Sequence, residues 1–120
     1  GPNTDAVLDH DDTDSFGPET TTIVQQFSGV YRFYVHDFTN GGNTSSTALS
    51  NSGAQVKVYQ GNTLVATFNV PTNQMGTVWT VFELNGSTIT PINTISPDQS
   101  VIQSASLKAK FKKAKKATKR

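Results

Sequence analysis

The sequence predicts an all-β fold: an antiparallel β-sandwich, immunoglobulin-like or carboxypeptidase-regulatory-like in organisation. Three observations carry this expectation. Apolar and β-branched side chains alternate with polar ones through most of residues 20 to 95. Gly- and Asn-containing turn pairs separate the alternating runs. No segment before residue 100 has a helical repeat, and the 17 threonines suit half-exposed strand faces.

Taken in order, residues 20–27 alternate Thr21, Ile23, Gln25 and Phe27 against Thr20, Thr22, Val24 and Gln26, which predicts a strand. Ser28-Gly29 turns the chain into a second strand over 30–38, where Tyr31, Phe33 and Val35 share one face and Arg32, Tyr34, His36 and Phe38 the other. Aromatics on both faces suit a central position. Residues 39–53, with Asn40-Gly41-Gly42-Asn43 and many Ser and Thr, predict a long polar loop. Strands follow around Val56 and Val58, and again around Leu64, Ala66, Phe68 and Val70, with Gln60-Gly61-Asn62 as the turn between them. The run 77–84 is a fifth strand, and Asn85-Gly86, a favoured hairpin pair, leads into a sixth over 87–95.

A chain of 120 residues, 34% hydrophobic, supports one domain with a modest core. Without cysteine it has neither disulfides nor a thiolate metal site, and no stretch approaches the roughly 20 apolar residues of a membrane-spanning helix. Gly1-Pro2 has the look of a scar left by a cleaved tag. The expected organisation is a lead-in at 1–7, the β domain at 8–96, a linker at 97–107 and a basic tail at 108–120.

Charge is strongly segregated. Residues 1–107 hold all nine acids against Arg32 and Lys57, whereas 108–120 hold eight bases and no acid. Five of the acids, Asp9, Asp11, Asp12, Asp14 and Glu19, fall between Leu8 and Glu19 in a turn-prone stretch, where they repel one another unless a cation lies among them. The spacing is not that of an EF-hand, since Asp14 stands where its glycine belongs and Thr20 where its bidentate Glu belongs. A loop site is the better expectation, with these carboxylates and nearby carbonyls supplying the oxygens Ca²⁺ takes. With His10 and His36 as the only nitrogen ligands of that type, zinc is disfavoured. The competing explanation is a solvated loop in which Asp and Ser cap turns.

The acidic block 8–20, followed by Gly29-Val-Tyr-Arg-Phe-Tyr-Val-His-Asp37, Ser52-Gly-Ala-Gln-Val-Lys-Val-Tyr59, Ala66-Thr-Phe-Asn-Val-Pro71, Trp79-Thr-Val-Phe-Glu-Leu84 and Ile89-Thr-Pro-Ile-Asn93, resembles the YfaP-like domain over about residues 8–95. The resemblance implies an immunoglobulin-like sandwich in a secreted or cell-envelope protein of undefined activity. Members of that family carry a further Asp-Leu-Asp-x-His strand upstream, a segment this sequence does not contain. A sheet edge left bare by its absence would accept a complementing strand.

Other constellations carry less. His36-Asp37 lacks the further ligands of a phosphohydrolase site, and no Gly-x-Ser-x-Gly elbow occurs. Tyr34, Tyr59 and Trp79 are candidates for a carbohydrate-stacking platform, against the commoner role of cross-strand packing. In the tail, Lys108, Lys110, Lys112, Lys113, Lys115, Lys116, Lys119 and Arg120 form an anion-binding candidate for an acidic polymer or membrane surface, expected to be disordered or helical only on binding. Sequence-specific nucleic-acid binding is not expected. The residues predict a cation-binding, non-enzymatic module for adhesion, carbohydrate binding or protein assembly, and the resemblance implies that it is extracellular. The alternatives are a metal-assisted hydrolase and a fragment completed by a missing N-terminal strand.

Overall fold

The computed structural model describes residues 8–13, 18, 20–40, 43–97 and 110–113. They form eight strands: β1 (Leu8–Thr13), β2 (Thr20–Phe27), β3 (Val30–Asp37), β4 (Gln55–Gln60), β5 (Thr63–Asn69), β6 (Val78–Asn85), β7 (Thr88–Ser96) and β8 (Lys110–Lys113). All pairings are antiparallel, and no helix occurs among the described residues. The strands make a three-stranded sheet in the order β1-β4-β5 and a five-stranded sheet in the order β7-β6-β3-β2-β8.

The six strands expected between residues 20 and 95 are all present, with the aromatic-rich β3 at the centre of its sheet. Tight turns explain the hairpins. Ser28 and Gly29 both adopt positive φ, 45° and 88°, the pairing of a type I′ turn that matches strand twist. At the last hairpin Asn85 still pairs with Thr88, so Gly86-Ser87 is the central pair, with Gly86 at φ 63°. The turn thus sits one residue later than Asn85-Gly86.

The apolar faces of the two sheets meet in a cluster containing Val35, Trp79, Val81, Phe82 and Leu84 from one sheet and Val56, Val58 and Phe68 from the other. Phe82 stacks on Phe33 at 4.4 Å and on Phe68 at 5.4 Å, so a row of three rings joins β3, β6 and β5. Trp79 is fully buried, and its indole Nε1 donates to Asn93 Oδ1 at 2.7 Å. That bond satisfies the one polar atom the ring brings into the core.

The long loop after β3 is less polar in effect than in composition. Leu49 and Ser50 are fully buried, and Ser50 Oγ donates to the Pro71 carbonyl at 2.7 Å while accepting from Gln74 N at 2.9 Å. Gly76 N donates to the Ser46 carbonyl at 2.8 Å. The loop is thereby tied to the segment leading into β6.

Two pairings lie outside the six expected strands. The acidic run contributes β1, which pairs with β4, and four residues of the basic segment contribute β8 beside β2. Asp has weak strand preference, so pairing with a neighbouring strand, rather than local propensity, sets this conformation. The remaining tail positions, Lys108, Lys115, Lys116, Lys119 and Arg120, lie outside the described residues.

Candidate functional site

The acidic strand is the first candidate. Register places Asp9 opposite Tyr59, Asp11 opposite Lys57 and Asp12 opposite Val56. Because a strand alternates faces, Asp9 and Asp11 occupy the face of Tyr59 and Lys57, whereas His10 and Asp12 occupy the face of Val58 and Val56. The backbone therefore divides the three aspartates between the two faces of the sheet. Asp14 and Glu19 lie outside the described residues. Among the described side chains, no group of three or more His, Cys, Asp or Glu is placed to hold a metal.

The three aromatic candidates are separated. Trp79 lies in the shared core, Tyr34 is fully buried beside Ile23 and Val78, and Tyr59 is half-buried on the three-stranded sheet. A stacking platform needs exposed ring faces on one surface. The structure does not bring these rings together as one.

The face of the five-stranded sheet that carries Tyr34 holds a polar network that the sequence did not single out. Arg32 of β3 lies opposite Gln25 of β2 and Glu83 of β6. Its Nε and Nη2 both donate to Glu83 Oε2, at 2.7 and 2.5 Å, and its guanidinium lies 4.7 Å from the centroid of the Phe27 ring. Burial pushes the Tyr34 hydroxyl above its ordinary pKa, opposed by the nearby Arg32 charge. The signal available in sequence was the alternation of Arg32, Tyr34 and His36 with matching positions on the flanking strands.

His36 and Asp37 do not form a dyad. Being successive strand residues they face opposite ways, and the Asp37 carboxylate accepts from Asn40 N at 3.0 Å and Asn40 Nδ2 at 2.7 Å, closing the turn after β3. His36 is half-buried; burial lowers its pKa, partly offset by the Asp37 charge. Its Nε2 is buried with no hydrogen-bond partner among the described residues.

No family model, curated protein or solved structure matches this chain.

Proposed function

We propose that this chain is an extracellular, non-enzymatic β-sandwich module of the YfaP-like kind that binds a divalent cation and acts in assembly through its strand edges. The observation that carries this reading is the acidic strand at the edge of the three-stranded sheet, with three aspartates in the six residues of β1. Such an edge repels itself until a cation or a basic partner neutralises it. Calcium suits it because its coordination is flexible and oxygen-rich. Assembly is favoured over carbohydrate binding because the candidate aromatics lie apart. The secreted or envelope location rests on the family resemblance alone. In the same reading the basic segment gives the module an affinity for anionic polymers that falls with salt.

Melting the protein in chelator and in millimolar Ca²⁺ tests the cation. At about 100 times the dissociation constant, Ca²⁺ should add about 2.7 kcal/mol and raise Tm by several degrees. The register makes Asp11→Asn the more damaging change, because Asp11 shares its face with Asp9, and Asp12→Asn the milder one. Identical melting curves in chelator and calcium would remove the cation from the proposal.

A further inference from the structure

Among the described residues the two sheets present four edges: β1 and β5 on one, β7 and β8 on the other. An edge strand has unpaired backbone donors and acceptors, and proteins blunt such edges with charge, proline or bulges. β1 carries three aspartates and β8 three lysines. β7 contains Pro91 and a positive-φ residue, Asn93 at 53°. β5 is different: Thr63-Leu-Val-Ala-Thr-Phe-Asn69 has neither charge nor proline, and Leu64 and Val65 are 48% and 42% exposed.

We propose that β5 is a self-association edge, pairing antiparallel with β5 of a second copy of this chain so that the two three-stranded sheets become one. A two-fold axis brings the same edge of each copy together. Residue i of one copy then faces residue j of the other and j faces i, so each edge meets its own composition, and charge decides which edge tolerates this. Self-pairing of β1 sets aspartates against aspartates, and self-pairing of β8 lysines against lysines, each destabilising. At β5 no charge opposes contact, and exposed Leu64 and Val65 supply apolar surface on adjacent positions.

The edge has one protective feature. Tyr59 pairs with Leu64 and Val58 with Ala66, leaving Val65 as the extra residue of a bulge. The bulge bends the edge locally and limits how long the paired segment can be, so a reversible dimer is expected rather than an open filament. This inference concerns the edge opposite β1 and does not depend on the cation reading.

Sedimentation equilibrium of the full chain from about 1 µM to 1 mM tests it. The expected result is a concentration-dependent rise from one chain mass to two, and a monomer throughout would overturn the proposal. Val65→Lys should weaken the dimer at least tenfold, and mixing Val65→Lys with Val65→Glu should restore it, because only the mixture places opposite charges across the junction. Thr67→Glu gives a second variant whose new carboxylate lies opposite Lys57 in the register, which supports the fold while charging the edge. If folded Val65→Lys and Thr67→Glu dimerise like the parent, the interface lies elsewhere and the proposal fails. Salt separates the remaining edges: a β5 dimer should persist at about 1 M NaCl, where the screening length is about 3 Å. A dimer that dissolves there is held by the acidic and basic edges, which would also overturn it.

Discussion

Strands β5 and β6 are of similar length and both mix β-branched, aromatic and polar residues, yet they have opposite fates. In β6, Val78 through Phe82 are buried without interruption and Leu84 joins them; in β5 only Phe68 is buried. Local sequence does not make this difference; position does. β6 lies between β3 and β7, with Phe82 and Leu84 facing the shared core and Val78 packed beside Ile23 and Tyr34 on the other face. Among the described residues β5 has β4 on one side alone. The contrast separates what stabilises the molecule from what it can offer to a partner.

The contrast is broken most directly by paired truncations. Phe82→Ala removes the middle ring of the three-ring row and should cost about 3–5 kcal/mol in denaturant unfolding, whereas Leu64→Ala on the exposed edge should change stability by about 0.5 kcal/mol or less. Comparable losses at the two positions would mean that β5 is covered in solution even in the monomer.

Gly76 sharpens the account of how β6 is set in place. Its φ is 144°, and a Cβ there would run into the backbone carbonyl of Ser96 at the end of β7. Gly76→Ala should therefore destabilise by more than about 1 kcal/mol, read as a lower denaturant midpoint with unchanged slope. A neutral outcome would show that the approach to β6 has room to move away from β7.

A smaller effect is expected from His36, on the central strand β3. Burial holds its folded-state pKa below the ordinary 6.5, so the folded protein binds less proton than the unfolded chain. Its contribution is fully present above pH 6.5 and is lost as the pH falls through the folded-state value. Stability followed down from pH 7.5 should decline below 6.5, and His36→Asn should flatten that part of the profile relative to the parent. An unaltered profile would assign the decline to other groups.

These elements also show how far the sequence could be read. The six strands from β2 to β7 were legible because each carries a period-two pattern between turn residues, and Ser28-Gly29 was legible because hairpins need positive φ there. The one-residue shift at Gly86 was not, since Asn85 is compatible with a turn and with the strand end, and pairing with Thr88 decides it. Leu49 and Ser50 gave no signal in a run of polar residues; their burial comes from the loop folding back on Pro71 and Gln74. The acidic run was recognisable as a charge cluster, but its strand conformation depends on β4, some forty residues away in sequence. Its division of Asp11 from Asp12 follows from that pairing. The placing of Tyr34 and Trp79 in different buried clusters, and of Tyr59 on the other sheet, is likewise a product of topology, which composition does not encode.

Amide hydrogen exchange measured as a function of protein concentration tests the contrast between β5 and β6 most directly. Amides of β6 should be strongly protected and independent of concentration, as expected for a strand paired on both sides. Amides of β5 not bonded to β4 should exchange rapidly in dilute solution and become protected as the concentration rises. Uniform, concentration-independent protection along β5, equal to that of β6, would contradict the assignment of β5 as the open edge through which this protein associates.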